Sequence, residues 1–439
     1  MSTRNEHDGV PSYSRRQASA LLAVLVVAYI VAFLDRQIIA LLIDTIKAEL
    51  KINDVEISLL QGLAFALAFC LATLPVGWLV DRYSRRLVLV AGILIWSVGT
   101  ALCGLAGSFG LLFAARMVVG LGEAFLSPAA YSMIIDAFPR DRIVRALSIY
   151  TMAGTLGIGA AFLSGSAVMR MIGAMPSLAI GLPTWQAAFL LVSIPGFFTV
   201  LLLLLVKEPP RNGSDLKDAA PFLEVVRFLL RNWRSFLPIF MCSGLLGIAY
   251  FAGFSWYAAH LGRVHGIAPQ SAGSLLGTLY LCTCTIGTAL GVAFSEYLQR
   301  QGRMDAPLRT VFFISLIAAA ASGYAAVDNL YLSLALLVIQ SLALGSFFGN
   351  CVAALQIITP ARMRGANSAA FALWNALVSL AVGPTIIGAL SDRVFPDRAD
   401  GLGISVAIVC VTCASISAVI AGKGLASFAR SATAFQRQA

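Results

Sequence analysis

Four charged residues stand inside stretches of this chain that are otherwise hydrocarbon. Asp35 and Arg36 are adjacent in Ala28-Tyr-Ile-Val-Ala-Phe-Leu-Asp-Arg-Gln-Ile-Ile-Ala40. Arg116 and Glu123 are seven apart in Arg116-Met-Val-Val-Gly-Leu-Gly-Glu123. A charge at the centre of a bilayer-spanning helix costs about 2.5–3.5 kcal/mol on insertion scales, so such residues are functional candidates by default. The spacing of Arg116 and Glu123 places them on one helical face, about 10 Å of rise apart. Gly120 and Gly122 lie between them and let a neighbouring helix come close. A carboxyl at mid-membrane has two stable states, ionised beside a cation or protonated and neutral. A group poised between them can carry a proton. Asp35 lies roughly 25 Å along its helix, in the outer half, and Arg36 is rotated about 100° from it toward a different neighbour. The chemistry these four suggest is a set of exchangeable ion pairs that proton or substrate binding rearranges. The competing reading is a static ion network that only fixes helix packing.

The elements that must hold these charges are long apolar helices. Of 439 residues, 59% are hydrophobic and 12% charged, and the mean hydropathy is +0.86. Soluble domains carry about 25% charged residues. A span needs roughly 20 apolar residues, and the pattern predicts twelve: 19–46, 57–80, 87–106, 110–136, 143–170, 186–206, 235–260, 271–296, 308–326, 330–358, 366–390 and 402–425. The apolar, Gly- and Pro-broken stretch 171–183 reads as a surface loop. With the N-terminus placed in the cytoplasm, 23 of the 31 Lys and Arg fall on the cytoplasmic side, six outside and two, Arg36 and Arg116, within spans. That bias follows the positive-inside rule. The net charge of +10 is therefore topological, and nucleic-acid binding is not expected. The first apolar segment is too long for a cleaved signal and stays as an anchor.

The polar stretch 207–234 divides the chain into two six-span halves, 19–206 and 235–425, flanked by cytoplasmic tails 1–18 and 426–439. Span 2 ends in Gly77-Trp-Leu-Val-Asp-Arg-Tyr-Ser-Arg-Arg86. Span 8 ends in Gly291-Val-Ala-Phe-Ser-Glu-Tyr-Leu-Gln-Arg300, so a glycine, an acid and a basic cluster recur at one place in each half. Transporters are often built from such repeats, with the substrate site at mid-membrane between them. The second half has no charge inside its expected spans. It offers Tyr250, Trp256, Tyr257, Thr278, Gln340, Asn350, Trp374 and Asn375, which suggest an aromatic, polar-neutral cavity wall facing the charged one. Such a cavity suits an amphipathic molecule. Other chemistries find little support. His7, His260 and His265 form no metal cluster, and no cofactor is expected. Cys410-Val-Thr-Cys413 sits in an apolar helix without a nearby His or acid and reads as filler. A membrane-embedded enzyme such as an acyltransferase would need better-placed histidines or paired acids.

The segment 77–86 resembles the signature that follows helix 2 in the major facilitator superfamily, through Gly77, Leu79, Asp81, Arg82, Arg85 and Arg86; Ser84 departs from the usual glycine. The resemblance implies an all-α membrane protein of two pseudo-symmetric six-helix halves. In it Asp81 and Arg85 latch the cytoplasmic ends when the cavity faces outward, and Asp136 is the acid for Arg85. Leu34-Asp-Arg-Gln-Ile38, Gly120-Leu-Gly-Glu-Ala124, Asp136-Ala-Phe-Pro-Arg140 and Gly383-Pro-Thr-Ile-Ile-Gly-Ala-Leu-Ser-Asp392 resemble the spinster branch of that superfamily. That implies an alternating-access transporter of a lysophospholipid or sphingosine-phosphate-like molecule, driven by protons; a monomer in a bacterial inner membrane is expected. On this carry-over Asp35 and Glu123 are the proton-linked acids, and Arg36 and Arg116 neutralise them or meet an anionic head group. A proton-coupled organic-anion symporter shares the fold and part of the pattern.

Overall fold

The computed structural model describes residues 13–179, 181–211 and 222–436; His7 and Lys217 lie outside them. Among the described residues there is no strand, and twelve helices are long and apolar enough to cross a membrane. Span 1 runs Arg15–Leu41, because Ser14 and Gln17 close a capping box on its first turn. It stops short of the expected edge. The chain turns at Leu42 into a separate helix, Ile43–Leu50, which ends at Lys51 in the left-handed conformation at φ 54°. A second capping box, Asn53 with Glu56, starts span 2 at Asp54, three residues ahead of the hydrophobic run.

Four spans depart from regular α-helix along their length, two in each half. Span 4 divides into Phe109–Glu123 and Leu126–Ala137, and span 10 into Leu330–Leu344 and Phe347–Ile357. Span 2 carries a π turn at Leu59–Leu63, and span 11 carries one at Ala376–Val382. A π turn locally changes the hydrogen-bond register and is often found at functional sites. The remaining spans are Arg85–Gly104, Arg140–Ala174, Thr184–Leu205, Trp233–His265, Pro269–Arg300, Ala306–Ala321 and Gly401–Gln436. The last runs on through what the sequence suggests is a tail. The expected linker contains a helix, Phe222–Arg231.

Spans 1–6 pack on one another, as do spans 7–12, and the two bundles meet along spans 5 and 8, 2 and 11, and 1 and 7. Glycine sets the closeness of that meeting. A Cβ on Gly159 of span 5 would lie 2.7 Å from Leu281 and 2.8 Å from the Gly277 carbonyl of span 8. A Cβ on Gly62, in the π turn of span 2, would collide with the Leu380 carbonyl in the π turn of span 11. Only residues without side chains permit backbones to approach this closely.

Candidate functional site

Adjacent positions on span 1 point different ways, and this separates the two charges. Asp35 faces the interior of the first bundle and is 0% exposed, while Arg36 faces the space between bundles. Arg36 forms an ion pair with Glu123, whose own side chain is 1% exposed. Its guanidinium lies 4.4 Å from the Phe65 ring centroid and 5.1 Å from that of Phe33. Cation–π attraction therefore supports the side chain while leaving part of it at the cavity wall.

Arg116 has a different role. It is fully buried and spends its fork on backbone carbonyls, those of Leu60 (3.2 Å), Asp35 (3.2 Å) and Arg36 (3.5 Å). It thus ties span 4 to span 1 and to the π turn of span 2. The exchangeable pairs expected from the sequence reduce to one direct pair, Arg36–Glu123. Both carboxylate oxygens of Asp35 lack a hydrogen-bond partner, although Thr100 stands beside it. Buried polar atoms are normally satisfied, so Asp35 holds an unused capacity.

The cavity next to Arg36 has a volume of about 320 Å³, at the small end of the range for ligand pockets. The first bundle contributes Tyr29, Arg36, Phe65, Tyr131 and Thr155. Tyr29 stacks on Tyr150 at 4.9 Å, and Tyr131 meets Tyr150 edge-on at 5.4 Å, so the charged wall is also phenolic. The second bundle contributes Tyr250, Phe251, Phe347, Phe348, Asn375 and Leu380.

Only Tyr250 and Asn375 of the eight residues expected in this wall line the cavity. Tyr257 shares a hydrogen bond with Ser333 at 2.5 Å, and Gln340 donates to Ser322 at 2.9 Å, both inside the bundle. Asn350 and Thr278 bond carbonyls one turn back, Ser346 and Ser274, while Trp374 donates to the Phe240 carbonyl at 2.7 Å. Trp256 is fully buried in the core. The reason is common to most of them: in an apolar bundle a neutral polar side chain takes the nearest acceptor, which is usually its own or a neighbouring helix. A larger groove, about 420 Å³, lies among spans 8, 9 and 10. Its walls include the exposed Leu290, Phe294 and Ile317 and carry no charge. It belongs to the surface that hydrocarbon covers.

At the end where span 1 begins and span 12 finishes, the residues of the 77–86 motif engage their own bundle. Arg85 pairs with Asp136 and with Glu208 (3.2 Å), and donates to the Pro209 carbonyl at 2.7 Å. Arg86 donates to the Val206 carbonyl at 3.1 Å, and Arg82 lies 4.5 Å from the Trp78 ring. Asp81 is exposed, with its backbone carbonyl taken by Arg211, and a Cβ on Gly77 would meet nothing. Glu208 and Arg211 carry no signal in the sequence beyond belonging to a polar stretch.

The opposite end is sealed across the bundles. Asp54, 2% exposed, accepts both Nη atoms of Arg263 at 2.9 Å, the Ser391 hydroxyl at 2.9 Å and the Lys47 ammonium. Arg263 also donates to Asp44 at 2.9 Å, and Asp392 accepts the Val55 amide at 2.8 Å. Sequence reasoning counted Lys47 and Arg263 as topological charge and left Asp54 outside span 2. The capping pair Asn53/Glu56 was the signal that could have brought Asp54 in.

A family model described as Major Facilitator Superfamily matches residues 25–384. Protein spinster of Drosophila melanogaster is 26% identical over 85% of this chain and 62% of its own, longer length. Protein spinster homolog 1 of Xenopus tropicalis is 26% identical over 94% of this chain and 81% of its own. A crystal structure titled as a bacterial homolog to the human lysosomal transporter spinster, inward-facing and unoccupied, superposes with a TM-score of 0.78 at 24% identity over 97% of this chain and 98% of that one. These relatives are transporters rather than enzymes. The fold, the paired bundles and the matched span together place the chain in the major facilitator superfamily, where the relatives it resembles include the spinster proteins.

Proposed function

We propose that this chain moves an amphipathic anion, of the lysophospholipid or sphingosine-phosphate kind, by proton-coupled alternating access. The observation that carries the reading is the placement of Arg36, paired to Glu123 at one edge and lining the cavity with the rest. An ionised Glu123 occupies the guanidinium. A proton on Glu123 removes that claim and leaves Arg36 to an anionic head group, because a neutral acid competes weakly with a phosphate or carboxylate for a cation. The Tyr29 and Tyr131 phenols can add hydrogen bonds to the head, and Phe251, Phe347, Phe348 and Leu380 offer an apolar surface for a tail. Asp35, buried and unpartnered, is the second place where a proton can rest.

The bundles are joined at the Asp54–Arg263 end. With both termini in the cytoplasm, as the basic residues suggest, this is the inward-facing state. The test is reconstitution in liposomes with labelled lysophospholipid and an imposed pH gradient. Gradient-dependent movement, lost in Glu123→Gln, is expected. Movement indifferent to the gradient would reduce the acids to substrate contacts, and no movement from folded protein would favour a small organic anion.

A further inference from the structure

The segment between the bundles ends in the helix Phe222–Arg231, set off from span 7 by a turn at Asn232. One face of this helix is anchored to the protein. Val225 is fully buried against Met363, with Phe228 and Leu229 beside them, and Glu224 pairs with Arg362. The helix is therefore clasped to the connection between spans 10 and 11.

The other side of this helix, continued across the turn at Asn232 into the start of span 7, is exposed and has two stripes along the chain. Arg227, Arg231 and Arg234 recur at intervals of four and three and are all exposed. Among the described residues none of the three has an ion pair; the Arg234 carbonyl accepts the Ser427 hydroxyl at 2.9 Å, and its guanidinium lies 5.7 Å from the Trp233 ring. Beside them Leu230, Trp233 and Leu237 are 68%, 52% and 45% exposed. Trp233 is the first residue of span 7, so this pair of stripes lies where that span leaves the hydrocarbon. A tryptophan at such a boundary sits at head-group level. Leucine on one side of it and arginine on the other match the acyl and phosphate layers of one leaflet. An acidic protein surface would account for the arginines but not for an apolar stripe that continues into a membrane span.

We infer that Arg227, Arg231 and Arg234, with Leu230 and Trp233, form a binding site for the head group of an anionic phospholipid. The clasp through Val225, Met363 and Glu224–Arg362 passes occupancy of this site to the loop between two spans that line the cavity.

The test uses the full chain in micelles supplemented with equal phosphatidylglycerol and phosphatidylcholine, read by native mass spectrometry of retained lipid. Preferential retention of phosphatidylglycerol, weakened by added salt, is expected. A triple R227Q/R231Q/R234Q variant should lose it by about tenfold or more, since each basic residue near an anionic surface contributes. The pair R300Q/R303Q, exposed at the same end of span 8, should retain it. Equal retention of the two lipids, an unchanged triple variant, or the same loss in R300Q/R303Q would each overturn the assignment. Displacement of the lipid by dissolved glycerol phosphate at matched concentration would overturn it in favour of a free phosphate. The unfolding midpoint in phosphatidylcholine alone, unchanged in the variants, checks that the fold is intact.

Discussion

Two arginines in the same layer of the first bundle illustrate how differently one residue type can be used. Arg36 has an aromatic rest, one carboxylate and open space; Arg116 has three carbonyls and none of that freedom. Substitution should separate them. Glu123→Gln is expected to fold normally, because the amide keeps a neighbour for Arg36, and to lose the pH-driven component of transport; coupled transport at the parental rate would remove its assigned role. Arg116→Met should instead destabilise the fold by roughly 3 kcal/mol, as removing a buried charge strands its partners, and a thermal midpoint within a degree or two of the parent would refute that. The four charges were legible in the sequence because hydrocarbon makes charge conspicuous. The neutral polar residues were not, since Tyr257, Gln340 and Trp374 each satisfy themselves within the bundle and a sequence does not print the acceptor. Asp54 escaped notice because its importance comes from span 7 and span 11, more than 200 residues away.

At the level of helices, the breaks matter more than the helices. The spans themselves were readable from hydropathy, most to within a few residues; spans 1, 7 and 9 ended about five residues from the expected edge and span 12 ran eleven beyond it. The π turns of spans 2 and 11 left no mark in composition; they meet because Gly62 allows it. Gly62→Leu should drive those spans apart and shift the population away from the sealed state, read as faster labelling of cysteines placed in the Asp54–Arg263 region. Unaltered labelling would mean the contact bears no load.

The connection after span 6 makes a separate prediction. Partial burial pushes the Glu208 carboxyl up. Hydrogen bonds from Ser84 and the Arg85 amide and side chain outweigh this and hold it below its ordinary value of 4.5. A depressed carboxylate lends its stability above the unfolded pKa and loses it as pH falls through the folded one. The strap onto Arg85 should therefore persist at neutral pH and loosen only below about pH 4.5. A spectroscopic distance between labels near positions 84 and 210 should follow that titration in the parent and be flat in Glu208→Gln. The same pH dependence in the parent and in Glu208→Gln would rule the strap out.

Across the whole molecule the two ends are in opposite conditions. One end is joined by Asp54, Arg263, Lys47, Ser391 and Asp392, while at the other Asp81 is exposed and Arg85 is occupied within its own bundle. Breaking the joined end should favour the other conformation. Asp54→Asn is expected to raise the accessibility of cysteines placed at the Asp54–Arg263 end by about tenfold, equivalent to 1.4 kcal/mol of lost preference for the sealed state. Asp81→Asn, if that residue latches only when the cavity opens at the Asp54–Arg263 end, should lower accessibility there. The same direction of change in both variants would sink the two-ended scheme. The overall architecture was legible because a repeated signature and a charge bias mark every second loop. The state of the molecule was not, since alternating conformations share one sequence and differ only in which contacts are made.

The seam between spans 5 and 8 bears on ion leakage. At Gly159 and Gly277 the two helices come so close that backbone and the Leu281 and Leu163 side chains fill the contact and leave no room for a file of water. The seam can part only as a whole, when one bundle tilts against the other. A membrane holding this protein should accordingly show no steady proton conductance through the resting form, and any current should come in step with completed transport cycles. Replacing either glycine with a larger residue would prop the seam open, and the cost would appear first as a dissipated pH gradient.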